Sequence, residues 1–464
     1  MKVKSLERKY FGTDGIRGRA NAFPMSVEIA MKVGQAAGHI FAEKTKHARP
    51  TVVIGKDTRV SGYMVESALQ AGFTSVGFFT LLVGPMPTPA VSFLTRSLRA
   101  DLGVMISASH NEFMDNGIKL FGPDGFKLPD SVEHDIEALM DGSSDKTIAL
   151  ADAARIGKAV RIEDAVGRYI ESCKMAVASD FRLDGMRIVV DCANGAAYKI
   201  APKILWELGA QVIRIGVEPD GYNINRNCGA LHTDGLKKAV LTHGADIGIA
   251  LDGDADRLIL CDELGNIIDG DQIMATVGSY MNAKGLLKGQ GVVATQMSNM
   301  GLEKYLESEG MHLVRTKVGD RYVMEGMLEG GYNFGGEASG HMIVLDHATT
   351  GDGLLAALKF LEVMRAESTR ASVLGHRFKP FPQKLENVTL PSRELANEVI
   401  ENGSVQDVIQ AVERGLEGNG RVLIRKSGTE PLVRVMVEAA DEAVVESAVA
   451  QITDAMKGHI ESLS

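Results

Sequence analysis

Between residues 26 and 46 apolar side chains recur every three to four positions, with Val27, Ala30, Val33, Ala37 and Ile40 on one stripe, and this period predicts a helix. Thr51-Val-Val-Ile54, β-branched throughout, reads as a buried strand and runs into Gly55-Lys-Asp-Thr-Arg59. Helix and strand then keep alternating: helix over 61–71, strand over 76–83, helix over 87–97 and strand over 102–106. Such alternation predicts a sheet flanked by helices. Around 141–158 the periodicity fades and Gly142-Ser-Ser-Asp145 reads as a linker. A second unit follows, with a helix over 164–176, a strand over 186–191 and the apolar run 247–251. A third contains a strand at 291–294, a helix after Ser298, a strand at 312–316 and a glycine-dense turn at Gly335. After about Thr369 the texture changes to strands at 383–390, 421–425 and 432–437 and a closing helix over 441–456. The pattern predicts three related α/β domains and a smaller C-terminal α+β domain, with limits at 1–150, 158–257, 258–368 and 375–464.

The chain has 464 residues, enough for several cores, and its 45% hydrophobic and 24% charged content is that of a globular protein. A net charge of −10 offers no broad basic surface, which argues against a nucleic-acid partner and requires that any anionic substrate be met by local clusters of Arg and Lys. Cys173, Cys192, Cys228 and Cys261 are widely spaced and form no CxxC pair, so they read as reduced thiols. No stretch reaches the length of a membrane span and no apolar signal segment follows Met1, so no membrane partner is expected and a cytoplasmic location is.

Two short motifs sit where strands should end. Ser107-Ala-Ser-His-Asn111 follows the run 102–106, and Asp252-Gly-Asp-Ala-Asp-Arg257 follows 247–251. A loop curling after a strand can turn residues 252, 254 and 256 toward one centre, where three hard oxygen donors suit a divalent cation, Mg²⁺ first. An EF-hand is the rival for this spacing, but its sixth position should be Gly and is Arg257, and the flanks are strand-like. A solvated acidic turn is the plainer reading. His110 beside the serine raises a Ser–His dyad for hydrolysis, yet adjacent side chains on an extended chain point apart and no Gly-x-Ser-x-Gly elbow is present.

Four further segments offer cations or hydroxyls. Arg17, in the glycine-bracketed Thr13-Asp-Gly-Ile-Arg-Gly18, can grip a phosphate bidentately or belong to an ordinary turn. Arg425-Lys-Ser-Gly-Thr-Glu-Pro431, with Arg434 beyond, suits a phosphate dianion or a hairpin turn salt-bridged to Glu430. Lys119 reads either as a general acid/base whose pKa neighbouring cations lower or as a solvated strand lysine. In Gly335-Gly-Glu-Ala-Ser-Gly-His341, an extended segment would turn Glu337 and Ser339 to one side, facing vicinal sugar hydroxyls or an amine; a flexible turn is the alternative.

Taken in order, Thr-Asp-Gly-Ile-Arg-Gly, Ser-Ala-Ser-His-Asn, Asp-Gly-Asp-Ala-Asp-Arg, Gly-Glu-x-Ser-Gly-His and Arg-Lys-Ser-Gly-Thr-Glu-Pro closely resemble the α-D-phosphohexomutase superfamily over essentially the whole chain. The spellings at 11–17, 107–111 and 425–430 are most similar to its bacterial amino-sugar branch. The resemblance implies four domains around a central cleft and a phosphosugar substrate. It further implies that Ser109 is phosphorylated and that Asp252, Asp254 and Asp256 hold one Mg²⁺ per subunit beside that phosphate. Arg17, His110, Asn111, Lys119 and Arg257 then belong to phosphoryl transfer, Glu337, Ser339 and His341 to the sugar, and Arg425, Ser427, Gly428 and Thr429 to the substrate's phosphate. A hexose 1,6-bisphosphate activator and a homodimer are expectations of the same kind. Glu112, Met114 and Ala338 depart from the usual family spelling, without removing any of these groups.

Overall fold

The computed structural model describes residues 9–12, 14–416, 418–427 and 430–463. They form two compact units, one of residues 1–295 with 314–377 and one of 296–313 with 378–464.

The first unit begins with β1 (Ile16–Arg19), α1 (Val27–Lys44), β2 (Thr51–Lys56), α2 (Ser61–Ser75), β3 (Phe79–Pro85), α3 (Thr88–Ser97), β4 (Leu102–Ile106), β5 (Asp115–Phe121), α4 (Asp130–Asp141) and β6 (Ala159–Arg161). The helix expected over 26–46 is α1, with Ser26 as its N-cap accepting from the Ile29 N–H. Its apolar stripe packs with α2 and α4 in a core that includes Val33, Ile40, Leu69, Val104 and Ile136. The sheet order is β1-β5-β4-β2-β3-β6. β4, β2, β3 and β6 run parallel, while β5 returns antiparallel beside β4 and β1 pairs antiparallel with β5.

A second sheet follows α5 (Ala165–Lys174) and contains β7 (Arg187–Asp191), α6 (Ile200–Glu207), β8 (Gln211–Ile215), α7 (Asp234–His243), β9 (Ile247–Leu251), β10 (Leu258–Asp262) and β11 (Ile267–Ile268), ordered β11-β10-β9-β7-β8. β7, β8 and β9 are parallel and β10 returns antiparallel beside β9. The expected start of a third domain at 258 therefore falls inside the β9–β10 hairpin.

Next come α8 (Gly270–Ala283), β12 (Gly291–Thr295), α9 (Met300–Ser308), β13 (His312–Thr316), α10 (Asp320–Gly330), β14 (Phe334–Gly336), β15 (Met342–Val344), α11 (Gly353–Glu367) and α12 (Ala371–Leu374). Their sheet, β13-β12-β14-β15, again pairs parallel strands, β12 and β14, with an antiparallel return, β15. Each of the three sheets thus has a parallel strand followed by an antiparallel one: β4 to β5, β9 to β10 and β14 to β15. The connections at these equivalent points are the serine loop, the aspartate loop and the Glu337 loop. They lie at carboxyl ends of parallel strands, where open α/β sheets bind ligands.

The second unit comprises α9 with β16 (Gln383–Thr389), α13 (Leu395–Glu401), α14 (Gly403–Leu416), β17 (Gly420–Lys426), β18 (Leu432–Ala439) and α15 (Glu442–Ser462). Its sheet, β16-β18-β17, is antiparallel throughout and covered by a core of valines, isoleucines and leucines. The helix after Ser298 was expected among its chain neighbours. It is instead held by this sheet: the Met300 N–H donates to Glu438 Oε1 at 2.6 Å, and Arg421 donates to the carbonyls of Gln296 and Ser298 at 2.8 and 2.7 Å.

Candidate active site

Ser109 is 1% exposed and sits at the end of β4 with φ +53°, a left-handed conformation that an L-residue holds only when its surroundings enforce it. The enforcement is visible. Its N–H donates to Ser107 Oγ at 2.8 Å, and Ser107 in turn donates to Asp57 Oδ2 at 2.7 Å. Arg59, fully buried, is paired with Asp57 at 2.8 Å and donates to the carbonyls of Ser109, Asn111, Asp115 and Glu112. Asn225, from the second sheet's loops, donates to the Ser109 and Asn111 carbonyls at 2.9 Å each. The turn is therefore shaped through its backbone, and Ser109 Oγ is left to donate to Asp252 Oδ2 at 2.6 Å.

The left-handed serine changes one expectation. His110 does not point away: its Nδ1 lies 3.4 Å from Ser109 Oγ, because the chain at Ser109 is not extended. A hydrolytic dyad does not follow, since the hydroxyl proton is directed to Asp252. Burial, then Arg257 and Arg17, push the imidazole down to about 4. The Asn111 amide is engaged with Asp115 Oδ2 at 2.9 Å, so this residue shapes the turn.

Asp252, Asp254 and Asp256 fill the β9–β10 connection with one oxygen each within 4.8 Å of the others, all buried. Antiparallel strands on both sides exclude the EF-hand. Ala255 at φ +57° curls the loop, and Gly253 lets the serine turn approach: a Cβ there would stand 2.6 Å from the Ser109 carbonyl oxygen. Asp254 Oδ2 accepts from Thr88 Oγ1 at 2.5 Å and Lys119 at 3.0 Å, and Asp256 Oδ2 accepts from Lys119 at 3.2 Å. Asp254 Oδ1 and Asp256 Oδ1 are buried without a hydrogen-bond partner among the described residues. Burial and the charges of Asp256 and Asp254 push the Asp252 carboxyl up to about 8. Three buried carboxylates converging within 4.8 Å, with two oxygens that accept no hydrogen bond among the described residues, fit a hard divalent cation.

Lys119, on β5, is 1% exposed, with its ammonium 3.0, 3.2 and 3.4 Å from Asp254, Asp256 and Asp14. The expectation that nearby cations lower its pKa is reversed. Burial does favour the neutral amine, but the Asp14, Asp254 and Asp256 carboxylates outweigh it and hold Lys119 well above its usual value. Arg17, on β1, pairs with Asp14; the Nε atoms of Arg17 and Arg257 are buried and unpartnered among the described residues, so both guanidiniums retain donors for an anion.

A cavity of about 1030 Å³ is lined by Ser109, Arg17, Asp256, Arg257, Glu337 and His341, among others. Glu337 and Ser339 do not alternate along an extended segment. Residues 337–340 form a tight turn closed by the Gly340 N–H on the Glu337 carbonyl at 2.9 Å, which exposes Ser339 and leaves Glu337 and His341 facing the cavity. The backbone of this turn is joined to the aspartate loop by an Arg257–His341 bridge.

In the second unit, Arg425 on β17 stands directly opposite Arg434 on β18. Like charges across a strand pair repel, and burial together with Arg434 lowers the Arg425 pKa. Negative charge nearby eases that repulsion, and Glu430, 3.3 Å from Arg434, supplies part of it. Ser427 Oγ accepts from the Glu430 N–H at 3.2 Å. Gly428 and Thr429 lie outside the described residues.

Sequence reasoning singled out the serine, the aspartates, Arg17, Lys119 and Arg257, and the first unit brings them together. Asp57, Arg59, Asn225, Thr88, Asp14, Lys127 and Asp320 were not singled out. The signals in the sequence were the strand-terminal Gly55-Lys-Asp-Thr-Arg59 segment, which holds Asp57 and Arg59, and the Thr13-Asp-Gly-Ile-Arg-Gly18 motif, which holds Asp14.

The phosphoglucomutase/phosphomannomutase family models match in sequence order: α/β/α domain I over residues 8–147, domain II over 167–265, domain III over 269–381 and the C-terminal domain over 385–455. A phosphoglucosamine mutase of Novosphingobium aromaticivorans is 59% identical over 452 residues, covering 97% of this chain and 99% of its own. Another, of Sphingopyxis alaskensis, is 58% identical and covers 98% and 100%. Among solved structures, a phosphoglucomutase/phosphomannomutase family protein of Burkholderia thailandensis superimposes with a TM-score of 0.80 at 22% identity, covering 97% of each chain. With four domain models matched in order and relatives this similar along their full length, the chain belongs to the phosphoglucomutase/phosphomannomutase family.

Proposed function

We propose that this protein interconverts glucosamine 6-phosphate and glucosamine 1-phosphate through a phosphorylated Ser109 and a glucosamine 1,6-bisphosphate intermediate, a product that feeds UDP-N-acetylglucosamine and cell-wall precursors. The observation that carries the chemistry is Ser109 Oγ at 2.6 Å from Asp252, inside an aspartate cluster with two buried oxygens that accept no hydrogen bond among the described residues. The amino sugar is the substrate of the phosphoglucosamine mutases that are 56–59% identical to this chain.

Asp252, Asp254 and Asp256 would hold Mg²⁺, which when bound offsets their charge and that of the phosphoryl oxygens. Phospho-Ser109 gives its phosphoryl group to O1 of glucosamine 6-phosphate, and the sugar hydroxyl loses its proton as the new P–O bond forms. Lys119, held as an ammonium by Asp14, Asp254 and Asp256, does not take that proton but stands as a cation beside the transferring oxygens, and Ser109 Oγ takes up a proton as its own P–O bond breaks. Arg17 and Arg257 present the free donors that stabilise the transferring oxygens. The bisphosphate then turns over and returns its 6-phosphoryl group to Ser109. Glu337 and His341 face the cavity where the sugar would lie, and Arg425, Ser427 and Arg434 supply a phosphate subsite in the second unit. We place the domain limits as three α/β domains, the second extending through β11, followed by the C-terminal domain.

Phosphorus NMR of phosphorylated protein with Mg²⁺, offered glucosamine, glucose and mannose 6-phosphates in parallel, tests the reading. The 1-phosphate resonance should grow fastest from the amino sugar. Faster conversion of glucose or mannose 6-phosphate would move the protein to a neutral-sugar mutase with the same mechanism.

A further inference from the structure

Behind the reacting groups lies a closed circuit of six ionisable side chains. Lys119 is 3.4 Å from Asp14 Oδ2, and Asp14 Oδ1 is paired with Lys127. Lys127 is paired with Asp320 Oδ2, which stands 3.6 Å from His341 Nε2. His341 Nδ1 stands 3.8 Å from Asp256 Oδ1, and Asp256 Oδ2 returns to Lys119 at 3.2 Å. Acidic and basic side chains alternate around the ring, so every acidic member has only basic ring neighbours; the two contacts of His341 are close approaches beyond hydrogen-bond length.

The circuit draws on all three sheets of the first unit. Lys119 is on β5, Asp14 precedes β1, Lys127 lies between β5 and α4, Asp256 is in the β9–β10 connection, Asp320 opens α10 and His341 leads into β15. Lys119 and His341 are 1% and 3% exposed, and a group that deep is held by its partners. Asp14 is the hub: Lys127 occupies Oδ1, leaving Oδ2 for both Arg17 and Lys119. Asp320 does the same on the other side, with Oδ2 shared between Lys127 and His341. The ring is also a wall: Asp320 and His341 face the site cavity and, with Lys127, a second cavity of about 1000 Å³ on the other side.

We propose that Lys127 and Asp320 are positioning residues for phosphoryl transfer, closing a ring of alternating acidic and basic side chains that fixes Lys119 and Arg17 at the reacting oxygen relative to His341 at the sugar loop. Neither residue need touch the substrate's reacting atoms. Their effect passes through Asp14 on one side and His341 on the other. A ring has a property that a set of independent ion pairs lacks: once it is opened at one member, opening it at an adjacent member adds little. The inference rests on the mutase reading above.

The test is a double-mutant cycle on the full chain, with kcat and KM for glucosamine 6-phosphate measured for wild type, Lys127→Met, Asp320→Asn and the double variant. Each single change is expected to lower kcat by about 10²-fold, the cost of misplacing a reacting group by about 1 Å, with KM within about threefold. The double variant should lose no more than about threefold beyond the worse single one. Losses that multiply, or variants with wild-type kcat, would overturn the ring. A loss confined to KM would also overturn it, by making Asp320 a ligand contact. Asp320→Asn is isosteric on a partly exposed helix start, so it carries the single-site test should Lys127→Met fail to fold. Wild type without turnover on any hexose phosphate would instead overturn the mutase reading itself.

Discussion

Replacing Arg59 separates the shape of the serine turn from the stability of the fold. Its guanidinium is fully buried, pairs with Asp57 and satisfies the carbonyls of Ser109, Asn111, Asp115 and Glu112. Arg59→Met leaves Asp57 buried without its partner, a change that costs about 3–5 kcal/mol. That corresponds to a melting temperature lower by roughly 6–20 °C. Arg59→Lys keeps a cation beside Asp57 but cannot reproduce a planar fork that donates to several carbonyls at once. It should therefore lose less than Arg59→Met does, about 1.5–3 kcal/mol, the worth of one charge-assisted bond. Catalysis should not be spared: a turn released at Ser109 and Asn111 no longer holds Oγ at 2.6 Å from Asp252, and a displacement of about 1 Å costs about 10²-fold in kcat. The assay is paired, with calorimetry for melting and steady-state turnover for kcat on the same preparations. An Arg59→Lys enzyme with wild-type kcat would refute the reasoning, because the carbonyl fork would then be irrelevant to where the serine points.

Other outcomes follow from the same geometry. Gly340 has φ +94° and a Cβ there would meet the Leu258 carbonyl oxygen at 2.0 Å, so Gly340→Ala should displace the sugar turn and raise KM about tenfold or more, measured by initial rates. Arg425→Met removes a charge-assisted phosphate donor worth about 1.5–3 kcal/mol and should raise KM about 10–150-fold, an effect read from the same rates. Asp352, which caps α11 and accepts from Tyr169, is pushed by burial up to about 6, above its unfolded value. A raised carboxyl favours the folded state fully at pH below about 4 and loses that contribution as pH rises through about 6. Asp352→Asn should accordingly gain stability relative to wild type between pH 4 and 8, by up to about 3 kcal/mol, in denaturant titrations at a series of pH values. A constant difference across that range would show that the Asp352 carboxyl titrates alike in the folded and unfolded chain.

The parts legible in the sequence were those written locally. Strand ends are marked by an abrupt change from apolar to polar, which placed Ser109 and the aspartates at loop positions, and the alternate spacing of 252, 254 and 256 anticipated a single centre. Asp57, Arg59 and Asn225 left little trace because they act on backbone carbonyls, which any sequence supplies. Asp14, Lys127 and Asp320 are joined across 113 and 193 positions, and separations of that size have no periodicity to read. The proximity of His110 to the serine turned on one left-handed residue, a conformation that serine does not advertise as glycine does. The sign of the Lys119 shift depended on counting three carboxylates around one ammonium, which only the folded arrangement reveals. Similarly, α9 sits with the C-terminal sheet through Glu438 and Arg421, whose positions along the chain carry no hint of it.

The central claim is that Ser109 itself carries the transferred phosphoryl group, and the most direct measurement is the intact mass of the protein after exposure to glucosamine 1,6-bisphosphate and Mg²⁺, with the modified residue located by peptide fragmentation. The account predicts a gain of one phosphoryl group on Ser109, lost again on adding glucosamine 6-phosphate and absent in Ser109→Ala. A protein that turns over its substrate with no phosphoryl group on Ser109, or with one on another residue, would contradict it.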